Sequence, residues 1–202
     1  GTPAITVRWV DVNKGDDLDP NVRSRLVARQ IRQAGEEAIF APTPPLEALR
    51  SIISIAATDF PGRAPHVRSA DSEMRTQISA IDISRAYFNA STEGADPTYV
   101  QLPPEHEDHA RGKCGLLLKH MYGTRAAADG WQQEYSSFLR SIGFLQGVAS
   151  PCVFTHKTRN IAMSVHGDDF TIAGPKLELD WLEKSLENKY ELRKGPRLGP
   201  GK

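Results

Sequence analysis

Along the second half of the chain, the spacing of hydrophobic residues changes several times between the alternation of a strand and the three-to-four-residue period of a helix. Residues 77–83, QISAIDI, alternate and are rich in β-branched side chains, which predicts a strand. Residues 129–143 carry an apolar stripe at helical spacing, with Asp129 as the predicted N-cap and Gly143 as the predicted stop. A strand–turn–strand pattern follows over 161–173, and a second helical stripe and a short final strand come after it. The residues of the two stripes are Trp131, Tyr135, Phe138, Leu139 and Ile142, then Leu179, Leu182 and Leu186.

That order is strand, helix, strand, strand, helix, strand. It is the order of the split βαβ (ferredoxin-like) plan, in which two helices pack on one face of an antiparallel sheet. In this plan the first strand lies beside a middle strand at the centre of the sheet. The predicted fold class is therefore α+β.

The first half of the chain predicts fewer elements. TVRWVDV and VRSRLVARQI, joined by the polar turn NKGDDLDPN, predict a hairpin. The polar stretch 58–76 is predicted to be loop. Between them a helix is predicted over 44–57, with two prolines at its start and its apolar face formed by Leu46, Leu49, Ile52, Ile53 and Ala56.

Composition narrows the class of protein only slightly. Lys and Arg total 25, as do Asp and Glu, so the overall charge argues neither for nor against a nucleic-acid partner. Two cysteines, Cys114 and Cys152, are too few for a disulfide framework and favour a reducing compartment. The most apolar stretch, 46–57, is too short to span a bilayer, and no membrane partner is expected. Because the chain opens without an initiator Met, we expect it to be a piece of a longer protein.

Three aspartates are the strongest chemical signal. Asp82 stands between Ile81 and Ile83 in the predicted strand, where a carboxylate is costly to bury unless it is paired. Asp168 and Asp169 stand side by side at the turn of the strand–turn–strand, although Asp and Gly are also ordinary turn residues. Clustered carboxylates suit a hard cation such as Mg²⁺ or Mn²⁺. One aspartate of the doublet together with Asp82 would bridge two metals about 3.5–4 Å apart, as in nucleotidyl transfer.

Seven segments in sequence order resemble copia-type retrotransposon reverse transcriptases. SAIDISRAYFNA resembles the first catalytic motif of that family, and VHGDDFTIAG resembles its Tyr-Val-Asp-Asp motif. The remaining matches are SRLVARQ, IFAPT, YVQLPPEHED, LLLKHMYGTRAAADGWQQEYSSFLRSIGF and SPCVFTHK. The resemblance implies a right-hand polymerase, with fingers at about 1–76 and 94–125, and a split-βαβ palm at about 77–93 and 126–195. It implies that the thumb would begin after Gly199 and is absent.

The resemblance also implies roles for individual residues. Asp82 and Asp168 would be the principal metal ligands and Asp169 the supporting acid, with Mg²⁺ or Mn²⁺ as the cofactor. Tyr87 would exclude a 2′-hydroxyl, and Arg23 or Arg25 would hold the incoming triphosphate. The arginines of this segment, Arg23, Arg25, Arg29 and Arg32, also have a plain interpretation as a solvated face. The implied template or primer contacts are Tyr122, Gly123, Arg125, His166 and Gly167.

The implied function is primer extension by an RNA-directed DNA polymerase. Its partners would be an RNA or DNA template with a primer, and deoxynucleoside triphosphates. Thumb, ribonuclease H and integrase would lie elsewhere in a polyprotein, in a cytoplasmic or nuclear retrotransposon particle. The loop after MYG departs from the family, since it reads Arg125, Ala126, Ala127, Ala128 and Asp129, and His166–Gly167 replaces Tyr-Val.

These departures leave a decayed, non-catalytic remnant with weak nucleic-acid binding as the alternative. Another two-metal palm enzyme, such as a nucleotide cyclase, is a third interpretation. A zinc site built from His106, His109, Cys114 and His120 is disfavoured by its spacing.

Overall fold

The computed structural model describes residues 3–31, 43–58 and 75–199. Arg32, most of the IFAPT segment and most of the predicted loop 58–76 lie outside these ranges. No helix in the described ranges is long and apolar enough to cross a membrane. The elements are β1 (Val7–Asn13), β2 (Val22–Ala28), α1 (Leu46–Ala57), β3 (Thr76–Ile83), a 3-10 helix (Ala86–Asn89), β4 (Tyr99–Gln101), β5 (Cys114–Leu116), α2 (Ala127–Ser141), β6 (Leu145–Gln146), β7 (Val153–His156), β8 (Ile161–His166), β9 (Asp169–Pro175), α3 (Lys176–Glu187) and β10 (Leu192–Lys194).

The chain divides into two compact units. Unit 1 consists of residues 1–40 and 87–134, and unit 2 of residues 41–86 and 135–202. The range 1–76 expected for the fingers is thus shared between the units. The ranges 77–93 and 126–195 expected for the palm are shared as well, since 87–93 and 126–134 fall in unit 1. Helix α2 begins in unit 1 and ends in unit 2.

Unit 2 is built on a six-stranded antiparallel sheet. Its strand order is β10-β3-β9-β8-β7-β6, so the predicted first strand lies beside the second strand of the strand–turn–strand. This confirms a mixed α and β architecture with antiparallel pairing. Strands β6 and β7, at the far edge, were not predicted, because their two and four residues are too short for a periodic pattern.

Alternation along the strands gives this sheet two different faces. On the core face, Ile81, Ile83, Phe170 and Ile172 are almost fully buried. The ring of Tyr135 in α2 lies 5.6 Å from that of Phe170. The three leucines predicted for the second helix, Leu179, Leu182 and Leu186, are fully buried on α3. We call the opposite surface, which carries Ala80, Asp82, Asp169 and Thr171, the acidic face.

Two sequence predictions about the helices were wrong in detail. Helix α2 starts at Ala127, so Asp129 is not its N-cap but lies in the first turn, where it accepts a hydrogen bond from Gln133. The chain already turns at Thr124–Ala127, where the Ala127 N–H donates to the Thr124 carbonyl. The helix therefore begins two residues before Asp129. In α1, Ile52 is buried but Ile53 is 44% exposed, so the apolar face is narrower than predicted. Gly143, with φ of 97°, does end α2 as predicted.

Unit 1 holds the predicted hairpin. Strands β1 and β2 pair antiparallel from Val7–Ala28 to Asn13–Val22. One face of this ribbon contributes Ala28 to a small core with Val100 and Met121, against which Val7 and Leu26 pack. Strands β4 and β5 form a second small ribbon in this unit.

Candidate active site

The fold brings Asp82 and Asp169 directly opposite each other. They are register partners in the β3–β9 pair, so both side chains leave the acidic face. The neighbouring hydrogen bond runs from the Ile83 N–H to the Asp168 carbonyl, at 2.9 Å. Because antiparallel pairs alternate, Asp82–Asp169 is a narrow pair without its own hydrogen bonds, with a Cα separation of about 4.5 Å. The two carboxylates therefore occupy the closest spacing that a sheet offers.

This arrangement is electrostatically unfavourable for the protein alone. Like charges directly opposite one another destabilise a sheet. Partial burial raises the pKa of the Asp169 carboxyl, and the nearby charges of Asp168 and Asp82 raise that pKa further, while His166 opposes them. The site thus holds negative charge at a cost in stability, which is typical of positions kept for binding rather than for folding.

The hairpin between β8 and β9 sets this geometry. Its two central residues are Gly167 and Asp168, flanked by the register pair His166–Asp169. Gly167 has φ of 63° whereas Asp168 does not have positive φ, which matches a type II′ turn with glycine at the first central position. Asp168 therefore lies in the turn itself, and its neighbour Asp169 begins strand β9.

Two further side chains extend the acid pair across the sheet. Arg193 of β10 is the register partner of Asp82, and His166 of β8 is the partner of Asp169. The four residues form one row over four strands, with the two acids in the middle. Arg193 was not singled out from the sequence. The split βαβ plan could have revealed it, because the last strand of that plan lies beside the first.

A cavity of about 680 Å³ opens on this row within unit 2. Leu46 and Leu49 of α1 form an apolar wall, and Asp82, Asp169 and His166 lie on the sheet side. On the core face, the Ser79 hydroxyl donates a hydrogen bond to Glu183 of α3. The next residue, Ala80, points to the other face, where it lines the cavity together with α1. Helices α1 and α3 therefore lie on opposite faces of the sheet. The acid pair is therefore accessible beside a partly apolar wall.

The donor set suits a hard divalent cation, although it is not a complete metal site. Carboxylate oxygens are the ligands that Mg²⁺ and Mn²⁺ prefer. Across residues 3–31, 43–58 and 75–199, no three His, Cys, Asp or Glu side chains are grouped closely enough to hold a metal as they stand. In the zinc set that the spacing disfavours, His109 Nδ1 lies 2.6 Å from the Leu102 carbonyl oxygen. What the sheet supplies is a facing pair of carboxylates, with Asp168 adjoining it.

The arginines of β2 share one face of the β1–β2 ribbon. Arg23 and Arg25 lie opposite Val12 and Val10, and Arg8 of β1 lies on the same face. The guanidinium of Arg25 is 5.9 Å from the centre of the Tyr122 ring. Of the two arginines predicted to bind triphosphate, Arg25 is thus the one with an aromatic neighbour in the described part of unit 1.

Tyr87 packs within an aromatic cluster. It lies in the 3-10 helix Ala86–Asn89, and its ring centre is 4.6 Å from that of Tyr122 at an interplanar angle of 53°. The ring of Phe88 meets Tyr122 edge-on at 5.6 Å. Tyr122 therefore contacts Tyr87, Phe88 and Arg25.

The segment around Tyr122 is fixed to strand β2. The Ala28 N–H donates to the Tyr122 carbonyl at 2.8 Å, and the Arg125 N–H donates to Gln30 Oε1 at 2.8 Å. Gly123 has φ of 84°, and a Cβ there would lie 1.9 Å from the Ala28 oxygen, so no side chain fits. Of the predicted template or primer contacts, Tyr122, Gly123 and Arg125 lie in unit 1, while His166 and Gly167 lie in unit 2.

Comparison with known proteins identifies the family. A family model described as "Reverse transcriptase (RNA-dependent DNA polymerase)" matches residues 1–198. The chain belongs to this family of polymerases, and the resemblance to copia-type reverse transcriptases is confirmed.

Curated relatives are similar at low identity over nearly the whole chain. The "Retrovirus-related Pol polyprotein from transposon TNT 1-94" of Nicotiana tabacum is 24% identical over 99% of the chain and 14% of its own length. The polyproteins from transposons RE2 and RE1 of Arabidopsis thaliana are each 24% identical, over 85% and 91% of the chain and 11% and 12% of their own lengths. The chain therefore spans at most about a seventh of these relatives.

Proposed function

We propose that this chain is the part of a retrotransposon polyprotein that extends a primer on an RNA or DNA template with deoxynucleoside triphosphates. The observation that carries the proposal is the narrow Asp82–Asp169 pair, a destabilising arrangement next to a third acid in a chain of the reverse transcriptase family. The ribonuclease H and the integrase implied by the resemblance would lie in other parts of the polyprotein. A copia-type particle in the cytoplasm or nucleus is the corresponding location.

We further propose that unit 2 is the palm of a right-hand polymerase. The strand order β10-β3-β9-β8, with α2 and α3 on the core face, is the order of a split βαβ sheet, and it supports this assignment. Unit 1 would then supply the fingers. Compared with the boundaries expected from the sequence, this division assigns 41–76 to the palm side and assigns 87–93 and 126–134 to the fingers side.

In this proposal Asp82, Asp168 and Asp169 hold Mg²⁺, or Mn²⁺ in its place. When bound, two such cations lower the barrier of nucleotidyl transfer by stabilising charge on the attacking and leaving oxygens. The residues of the chain provide the rest. The carboxylates fix the position of the charge, Arg25 binds the triphosphate of the incoming nucleotide, and Tyr87 excludes a 2′-hydroxyl.

The register bears on which acid of the doublet is the principal ligand. Asp168 was expected to join Asp82, yet the acid opposite Asp82 in the sheet is Asp169. Neutralising each one separately distinguishes the two assignments. We expect Asp82→Asn to abolish extension, and the more severe of Asp168→Asn and Asp169→Asn to mark the principal ligand.

Arg25 is proposed over Arg23 because of its contact with Tyr122, which also contacts Tyr87. The two arginines form a matched pair, since they lie on the same strand and the same face. Loss of a charge-assisted contact costs about 1.5–3 kcal/mol, so Arg25→Gln should raise KM for deoxynucleotides about 10–100-fold. Arg23→Gln should have a much smaller effect. Equal effects of the two substitutions would show that the ribbon acts through its general charge.

The test of the proposed function is primer extension on an oligonucleotide-primed RNA template, first with Mg²⁺ and then with Mn²⁺. Elongated product that disappears in Asp82→Asn supports the polymerase. A non-catalytic remnant is the second candidate, and the replacement of the family's loop by Arg125, Ala126, Ala127, Ala128 and Asp129 favours it. Primer–template binding without any extension in either metal, by a folded protein, would establish the remnant instead.

A further inference from the structure

We propose that Tyr122 is a specificity-determining positioning residue, which holds the ring of Tyr87 where it excludes ribonucleotides. The inference rests on the proposed function and assigns to Tyr122 a role other than the template or primer contact expected from the sequence. It is carried by the ring contact of the two tyrosines, which are 4.6 Å apart between centres.

Tyr87 depends on side-chain contacts for its orientation. It lies in a single turn of 3-10 helix, an element with poorer hydrogen-bond geometry than an α-helix. The turn is closed by the Ala90 N–H on the Tyr87 carbonyl at 3.2 Å, a long bond. The tilted contact with Tyr122 restricts both the position and the rotation of the Tyr87 ring.

Tyr122, by contrast, is attached to a firm support. Its carbonyl accepts the Ala28 N–H from strand β2, and the Thr124 N–H closes a turn on Met121. Ala28 and Met121 are both buried in the core of unit 1. The next residue, Gly123, lies so close to the Ala28 backbone that the segment cannot shift toward β2. The Phe88 edge contact and the Arg25 guanidinium restrict the Tyr122 ring itself.

A group that discriminates by size must be held in place. Deoxyribose and ribose differ by one oxygen, so a ring that is free to turn aside admits both sugars. Binding and catalytic groups lose their selectivity when the residues supporting them are loosened by as little as about 1 Å. Removing the Tyr122 ring should therefore reduce discrimination while Tyr87 itself is unchanged.

The variant that tests this is Tyr122→Leu, compared with Tyr122→Phe and with Tyr99→Leu. Phenylalanine keeps the ring contact, and Tyr99 is a 40% exposed tyrosine on β4 of the same unit, so its loss controls for removing a tyrosine. The measurement is the ratio of kcat/KM for a deoxynucleotide to that for the matching ribonucleotide. Given the strength of aromatic pairs, we expect Tyr122→Leu to lower this ratio about 2–10-fold. The other two variants should leave it unchanged.

A double variant shows whether Tyr122 acts through Tyr87. In a Tyr87→Val background, where the excluding ring is already lost, adding Tyr122→Leu should not lower the ratio further. A further drop of the same size would show that Tyr122 selects the sugar independently and would overturn the proposal. An unchanged ratio in Tyr122→Leu alone would overturn it as well.

A second measurement does not depend on polymerase activity. With 3-fluorotyrosine at position 87, the ¹⁹F signal should shift and change in width in Tyr122→Leu, but stay as in the wild type in Tyr99→Leu. A signal that is indifferent to Tyr122→Leu would refute the positioning role even in an active enzyme. Absence of deoxynucleotide extension together with a responsive ¹⁹F signal would refute the proposed function and leave the ring contact standing.

Discussion

Neutralising Asp169 should stabilise the protein. Asp169→Asn keeps the shape of the side chain and removes one of two charges that lie opposite each other at a Cα separation of about 4.5 Å. Most substitutions destabilise proteins, so the expected sign is unusual. It follows from the geometry of a narrow antiparallel pair with like charges.

The magnitude can be bounded from this geometry. Two unit charges about 5 Å apart repel by about 0.8 kcal/mol in bulk water and by several times more in a less polar surrounding. Asp169 is exposed, so solvent screening keeps the value near the lower end, in agreement with about 0.2–1 kcal/mol for cross-strand pairs. For a chain of this length, that corresponds to a rise in melting temperature of about 0.5–4 °C.

Thermal unfolding at low ionic strength, followed by circular dichroism, measures the effect. A matched control is Asp11→Asn, because Asp11 is an exposed strand aspartate whose register partner is the neutral Ser24. That variant should unfold within about 0.5 kcal/mol of the wild type. Added salt should reduce the gain of Asp169→Asn, since it screens the repulsion that the substitution removes.

Magnesium provides the second half of the test. A cation that binds the acidic face stabilises the folded state, so millimolar Mg²⁺ should raise the melting temperature of the wild type more than that of Asp169→Asn. A lower melting temperature for Asp169→Asn in the absence of metal would refute the claim that the pair repels. An identical response of both proteins to Mg²⁺ would refute the claim that the pair contributes to cation binding.

Three further outcomes concern the fold around the site. Gly123→Ala should lower the free energy of unfolding by at least about 2 kcal/mol, because a Cβ would overlap the Ala28 oxygen at positive φ. The control Gly112→Ala, with φ of 67° and open space around it, should lose only the energy of backbone strain, and urea unfolding of both variants compares them. Burial lowers the pKa of His120, so the unfolded chain binds the proton more readily and the free energy of unfolding should fall as pH drops below about 6.5. Thermal melts between pH 7 and 5 should show a smaller pH dependence for His120→Gln, and an unchanged one for the exposed control His106→Gln. Glu183→Gln should lower the free energy of unfolding by about 1–3 kcal/mol, since Glu183 accepts hydrogen bonds from Ser79 at 2.7 Å and from the largely buried Arg197. The control Glu187→Gln, at the exposed ion pair with Lys194, should lower it by under about 1 kcal/mol in the same thermal unfolding experiment.

Much of unit 2 could be predicted from its sequence. The strand at Asp82, the strand–turn–strand at Asp168 and both helices have apolar periods long enough to identify, and the structure contains them at nearly the predicted positions. The short strands β4 to β7 were not predicted, because two to four residues do not establish a period. The equally short β10 was predicted, as the final strand that follows the second helix. Their positions depend on pairing partners that are distant in the sequence.

The acids of the site could be chosen from the sequence, but their pairing could not. Alternation along a strand shows only that Asp168 and Asp169 differ in direction. Which one lies opposite Asp82 depends on the register between β3 and β9, and the register depends on tertiary packing of Ile81 against Phe170 and their neighbours. The contact between Tyr87 and Tyr122 was equally hidden, since 35 positions separate them and neither stands in a periodic pattern.

The two-residue turn at Gly167 and Asp168 also determines which kinds of mutation this region can accumulate. Side chains on a strand alternate with a period of two, so one residue inserted or deleted between His166 and Asp169 would turn every later side chain of β9 to the opposite face. Phe170 and Ile172 would then leave the core, and the acid would enter it. Point substitutions in the turn change one side chain, whereas a change of its length changes the whole strand. Among diverging copies of such an element, the length of this hairpin should therefore be retained longer than the identity of its residues. The presence of His166 and Gly167 in place of the family's Tyr-Val is a change of identity without a change of length.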